Sequence, residues 1–204
     1  VWYYAVVFGS FLNTALAIII IMVTCNEFTY RTGRQHIIDG QSKADLLLGK
    51  VMLMAALSIG VGVALFAGGF VAGLIYSDGF SATAVFERIG FIPAFMIQAF
   101  AVMSMGYFLA ILFRKTALSV LLFLLYMFPA EIIIRLVVLK NLGLETAADY
   151  FPVLTFYVKI CELRNLNAFF GNISSPSLET LAWTLGYAIV FILGAYAILK
   201  KRDL

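Results

Sequence analysis

Charged residues are scarce in this sequence, and their scarcity excludes most soluble folds. Asp, Glu, Lys and Arg together make up only 12% of the 204 residues, whereas a soluble domain is about one quarter charged. Hydrophobic residues make up 63%, a share that is typical of an integral membrane protein. The formal net charge of +3 is too small to indicate binding to nucleic acid.

Cysteine and histidine are also rare. The two cysteines, Cys25 and Cys161, are too few for a disulfide framework. The single histidine, His36, has no second histidine and no cysteine at ligand spacing. We therefore expect no metal site.

A nucleotide-binding loop is absent as well. The pair Gly49-Lys50 follows Ala44, where such a loop would have its first glycine, and precedes Val51, where it would have a magnesium-binding hydroxyl. No catalytic constellation is evident elsewhere in the sequence. We expect neither enzyme activity nor a cofactor in this chain itself.

Long apolar runs dominate the chain instead. A bilayer core about 30 Å thick needs about 20 apolar residues in a helix, and five segments meet that need: residues 2–24, 45–76, 88–113, 116–139 and 178–199. Their uncharged runs favour helices over barrel strands, which alternate apolar and polar residues. The predicted fold is an all-α polytopic membrane helix bundle, with residues 1–204 as a single transmembrane domain.

The basic residues predict how the bundle is oriented. With residues 25–44 in the cytoplasm, nine of the 14 lysines and arginines lie inside and five outside. We therefore expect a cell-membrane protein, of the bacterial inner-membrane type, with a cytoplasmic C-terminus and an extracytoplasmic segment 140–177 that forms an amphipathic or re-entrant helix. Residue 1 would then lie outside, so we expect one further span upstream and six in all.

Several residues within the spans are candidates for packing or transport. Glu131 and Arg135 lie four residues apart and predict an intramembrane ion pair, which either braces helices near the outer interface or forms a polar patch on a substrate path. Asn13 and Gln98 are weaker candidates, for which we expect interhelical hydrogen bonds.

A stripe of small residues recurs every four positions in the second predicted span. It allows another helix to approach closely, either inside one bundle or at a moving or dimeric interface. Its members are Ala56, Gly60, Ala64, Gly68 and Ala72.

The connection 25–44 is unusually polar for a turn between spans. Residues 27–38 contain no proline and predict a short helix, which Gly40 would end. Ser42 can cap the next helix, and Asp45, three residues later, completes a capping-box pattern.

The same connection resembles a segment of the ATP-binding cassette (ABC) type-2 permeases, E-x4-T-x-R/E-x5-G/P-x-S-R/K-x2-L-L-L-G-K. The matching residues are Glu27, Thr32, Arg34, Gln35, Gly40, Ser42, Lys43 and the run Leu46–Lys50. Arg31 and Gly33 depart from the pattern, since the family often has glycine and usually an apolar residue at those two positions.

In that family the segment joins the second and third of six spans, and its coupling helix docks on an ATPase subunit. The resemblance implies that this chain is the permease subunit of an exporter, in a homodimer or heterodimer within the lipid bilayer. A separate ATPase would bind ATP and magnesium. The implied coupling residues are Glu27, Tyr30, Arg31, Thr32, Arg34, Gln35 and His36. The alternative is a membrane-embedded enzyme or a regulatory anchor that recruits a cytoplasmic signalling partner.

Overall fold

A computed structural model describes residues 2–30, 32, 35, 38, 40–76, 89–130, 133, 152 and 178–201. Every regular element within these ranges is helical. In chain order the helices are α1 (Trp2–Thr29), α2 (Lys43–Tyr76), α3 (Phe91–Phe113), α4 (Thr116–Leu125) and α5 (Leu178–Lys201). A π-helical turn, Tyr126–Ala130, continues α4, and it contains Pro129, which has no N–H for an α-helical hydrogen bond.

Four of these helices are long and apolar enough to cross a membrane: α1, α2, α3 and α5. The predicted class of helical membrane protein is therefore confirmed. The fourth predicted span, 116–139, is described as a shorter apolar helix over Thr116–Phe128, followed by the last two residues of the π-helical turn. Beyond Ala130, Ile133 is the one residue of this span that the structure describes.

Helix α3 is the central helix of the described bundle. It packs against α1, α2, α4 and α5, and its side chains are buried on most sides. One cluster of buried side chains joins α3 to α1, α4 and α5, and a second joins it to α1, α2 and α5. The other helices are therefore arranged around α3.

A glycine permits the closest approach between α1 and α3. A Cβ atom added at Gly106 would lie 3.1 Å from the carbonyl oxygen of Ala17 and 3.3 Å from Cγ1 of Ile21. Helices in lipid associate through such close packing, because lipid removes the hydrophobic drive that operates in water. Gly106 therefore contributes to the central position of α3.

The small-residue stripe of α2 faces outward in the part of the chain that the structure describes. Ala56, Gly60, Ala64 and Gly68 are all exposed, and a Cβ atom added at Gly60 or Gly68 would meet no atom within 4 Å. The side chain of Ala72 lies outside the described residues. Helix α2 instead buries its other face, including Met54, Ser58 and Gly62.

Helix α1 extends beyond the predicted span end at residue 24 and continues to Thr29. The Tyr30 N–H donates to the carbonyl oxygen of Asn26 at 2.9 Å, and the Thr29 hydroxyl donates to that of Cys25 at 3.1 Å. No helix breaker lies in this stretch, so the helix runs on past the apolar segment. The short helix predicted over 27–38 is wrong at its start, because Glu27 belongs to α1, whereas the described residues Thr32, Gln35 and Ile38, after the turn at Tyr30, are helical.

Candidate functional site

The candidate site is the connection between α1 and α2, residues 25–44, together with the helix ends that hold it. The α1 residue Phe28 and the α2 residues Leu47 and Val51 pack against a cluster that includes Ile111 of α3 and Leu199 of α5. Four helices therefore meet at the connection. We call this end of the molecule the connection end.

The outer part of the connection presents its side chains away from the bundle. Tyr30 is 74% exposed and Ile38 is 83% exposed, and Thr32 and Gln35 are exposed as well. The Thr32 hydroxyl donates to the carbonyl oxygen of Glu27 at 3.4 Å. This part of the connection is thus accessible to a partner.

Three of the predicted coupling residues, Arg31, Arg34 and His36, lie outside the described residues. So do Glu131 and Arg135, the candidates for an intramembrane ion pair, and nearly all of segment 140–177. Within the connection, the structure describes residues 25–30, 32, 35, 38 and 40–44, and these define the geometry of the site.

Glu27 differs from the described coupling residues Tyr30, Thr32 and Gln35 because its side chain is only partly exposed. Its carboxylate forms an ion pair with the ammonium group of Lys50, and the two side chains are only 33% and 13% exposed, respectively. Sequence reasoning included Lys50 in the family pattern and missed it as a site residue. The available signal was that Glu27 and Lys50 open and close that pattern with opposite charges.

Beside this ion pair, Phe28 connects α1 to the end of α3. The Arg114 guanidinium lies 4.9 Å from the centroid of the Phe28 ring, within the range of a cation–π interaction. Arg114 ends α3 with a left-handed backbone at φ 54°, and its N–H donates to the carbonyl oxygen of Ala110 at 2.9 Å. The final turns of α1 and α3 therefore hold each other.

The start of α2 is defined by a glycine turn and a capping box. Gly40 has φ +91°, a left-handed conformation that glycine adopts without the penalty of a Cβ atom. The Ser42 N–H and hydroxyl donate to Asp45 Oδ2 at 2.9 Å and 2.7 Å, and the Asp45 N–H donates to Ser42 Oγ at 3.2 Å. The predicted capping box is confirmed, and it fixes where the connection ends.

Away from the connection, Asn13 is an unusual polar residue inside the bundle. Its side chain is fully buried, and within the described part of the chain neither Oδ1 nor Nδ2 has a hydrogen-bond partner. Among these residues the expected interhelical hydrogen bond of Asn13 is not formed. Ala17, one turn further along α1, faces the backbone-to-backbone contact at Gly106, so Asn13 lies where α1 and α3 pack closely. Gln98 on α3 is also fully buried.

No family model, no curated protein and no solved structure matches this chain. The family assignment from the pattern Glu27–Lys50 therefore stays a prediction.

Proposed function

We propose that this chain is the membrane-spanning permease subunit of an ABC type-2 exporter, driven by a separate ATPase subunit that binds the connection 25–44. The observation that carries the proposal is an exposed connection with two anchored ends. Tyr30 and Ile38 are exposed, whereas the Glu27–Lys50 ion pair and the Ser42–Asp45 cap hold the flanking helices. An anchored connection can transmit a displacement to the bundle, which a slack loop cannot.

In this proposal the ATPase supplies the energy and the permease supplies the pathway. Binding of ATP and magnesium draws two ATPase subunits together and displaces the connections that they hold, which changes the relative stability of two bundle conformations. The connection and the C-terminus then lie in the cytoplasm, where ATP is available. Glu131 and Arg135 are candidates for a polar patch on the substrate path.

The outward face of α2 supports assembly with a second permease chain, either a copy or a related one. Gly60 and Gly68 are exposed at a spacing of eight residues with Ala64 between them, and small residues allow a helix of another chain to approach closely. Lipid covers the apolar surface that the second chain leaves free.

Copurification tests the proposal directly. The tagged protein, extracted from its native membrane in a mild detergent, should carry with it a subunit that has a nucleotide-binding loop and hydrolyses ATP in the presence of magnesium. A stable complex that contains a signalling protein and no nucleotide-binding subunit would contradict the proposal and favour a regulatory anchor.

Charge reversal locates the contact within the connection. The double variant R31E/R34E should lose the ATPase subunit, because the cationic side chains of the coupling segment would become anionic. The matched control is Lys115→Glu, which reverses an exposed lysine in the connection between α3 and α4. If R31E/R34E retains the ATPase as well as wild type does, the contact has been placed at the wrong residues.

A further inference from the structure

The Glu27–Lys50 ion pair is less exposed than the outer residues of the connection, Tyr30 and Ile38. Glu27 is in the last turn of α1, and Lys50 is in the second turn of α2, 23 residues later in the chain. The Lys50 side chain is only 13% exposed. An ammonium group that is largely removed from water needs its counter-charge, so Glu27 and Lys50 hold α1 and α2 together.

On one side of this ion pair, apolar side chains pack into the bundle. Leu47 and Val51 on α2, together with Phe28 on α1, pack against a cluster that contains the buried Tyr107 of α3. The same cluster includes Leu199 at the end of α5. The ion pair therefore lies beside the place where a displacement of α1 and α2 would reach α3 and α5.

Beyond this place, α2 continues without a break to Tyr76. It is one continuous helix of 34 residues, which corresponds to a length of about 51 Å. Leu48 and Met52 beside the ion pair, and Ile75 near the far end, are exposed. A small rotation at the connection end would therefore give a larger displacement at Ile75.

We propose that Glu27 and Lys50 are positioning residues that fasten α1 to α2, so that both ends of the connection move as one body and the displacement reaches α3 through the Tyr107 cluster. This inference rests on the proposed function, because the displacement is the one that an ATPase would cause. The pair itself does not touch the ATPase. Its role is to turn movement of the connection into movement of the bundle.

Charge reversal and charge exchange test whether the attraction between Glu27 and Lys50 fastens α1 to α2. Glu27→Lys or Lys50→Glu alone places two like charges side by side and drives α1 and α2 apart. The double variant E27K/K50E restores an attraction with the charges exchanged. Lys115→Glu is the control for a changed charge at the same end of the molecule.

The movement is measured as the distance between spin labels at exposed positions on α2 and α5, introduced as Ile75→Cys and Lys200→Cys. Cys25 and Cys161 are replaced by Ala and Ser in all samples. In the complete complex with the ATPase, ATP and magnesium should shift this distance in wild type and in K115E. The shift should be lost in E27K and in K50E while the ATPase still copurifies, and it should return in E27K/K50E.

An ATP-induced shift of wild-type size in both single variants would overturn the proposal. So would a double variant that remains as defective as the single ones, since the defect would then not come from the attraction between the two charges. A pair that only stabilises the fold would lower ATPase copurification and thermal stability together with the shift, which is also a contrary result.

The same samples distinguish failure of this inference from failure of the proposed function. If wild type carries no ATPase, the exporter proposal fails. The fastening of α1 to α2 is then judged in the isolated protein, where E27K and K50E should broaden the distribution of label distances and E27K/K50E should narrow it again. Unchanged distributions in the single variants would reject the fastening role itself.

Discussion

Helices α3 and α2 are similarly apolar and have very different surroundings. Both are long apolar helices, yet α3 is buried among four other helices, whereas α2 exposes most of its surface. On α3 the single Gly106 lies against the backbone of α1, while on α2 the regularly spaced Gly60 and Gly68 meet no atom of the described chain. A repeat of small residues thus did not identify the helix face used within this bundle.

The physical reason is that a bilayer does not penalise an exposed apolar surface. In water, an entirely apolar helix would have to be buried, but in lipid its outer side chains are already in an apolar environment. The central position of α3 therefore depends on which helices fit closely together. That fit is a property of backbone separation and side-chain shape on both partners.

The largest change in the free energy of unfolding is expected from a bulky side chain at Gly106, where α3 contacts α1. Gly106→Leu should lower the free energy of unfolding by about 3 kcal/mol, because its side chain would be forced against Ala17 and Ile21, as overpacked cores are. The matched variant on α2 is Gly60→Leu, for which the isolated chain should change little. Unfolding in mixed detergent micelles measures both.

Equal destabilisation of the isolated chain by these two variants would contradict the conclusion that Gly106 is packed against α1 whereas Gly60 faces outward. If Gly60→Leu leaves the isolated chain intact but reduces cross-linked dimer, the outward stripe is a contact between chains. That result would sharpen the comparison, since one helix would then use glycine within the chain and the other between chains.

A smaller effect, of opposite sign, is expected at Asn13. Asn13→Leu should raise the free energy of unfolding by about 1–3 kcal/mol, because it removes a buried amide whose polar atoms have no hydrogen-bond partner among the described residues. The control on α2 is Ser58→Ala, since the Ser58 hydroxyl already donates to the carbonyl oxygen of Ala55 at 2.8 Å. That control should change stability little. A clear loss of stability in Asn13→Leu would contradict this expectation and show that the amide makes interactions that stabilise the fold.

The smallest effect is expected at the start of α2. Ser42→Ala should cost about 1 kcal/mol, the usual consequence of losing an N-cap side chain. Hydrogen exchange should quicken at the first amides of α2 and remain unchanged in α3. Ser42→Thr should retain slow exchange, and Gln41→Ala is the control for an exposed neighbour. Equal exchange in Ser42→Ala and wild type would mean that the capping box does not hold the helix end.

Local features were predictable because they depend on residues near each other in the chain. The apolar runs predicted the spanning helices, and Ser42 with Asp45 predicted the capping box that the structure contains. The apolar run predicts a first span over residues 2–24, and helix α1 itself continues to Thr29, because nothing in residues 25–29 interrupts an α-helix.

Features that join distant residues were not predictable in the same way. Pairing of Glu27 with Lys50 requires the end of α1 to lie beside the second turn of α2. That the Asn13 amide finds no hydrogen-bond partner in the described chain is evident only from its spatial neighbours. The family pattern brought Glu27 and Lys50 into one motif without indicating that they touch. The roles of Arg31, Arg34 and His36, and of Glu131 and Arg135, stay predictions.

By itself the sequence determined that this protein is a helical membrane protein, where its apolar helices run, and how the connection 25–44 turns into α2. These properties follow from hydrophobic length and from hydrogen bonds between neighbouring residues. Only the tertiary structure decided that α3 is central, that the stripe of α2 faces outward and that Glu27 pairs with Lys50. Lipid accepts any apolar face equally, so the choice among faces is made by close packing and by the pairing of charges between helices.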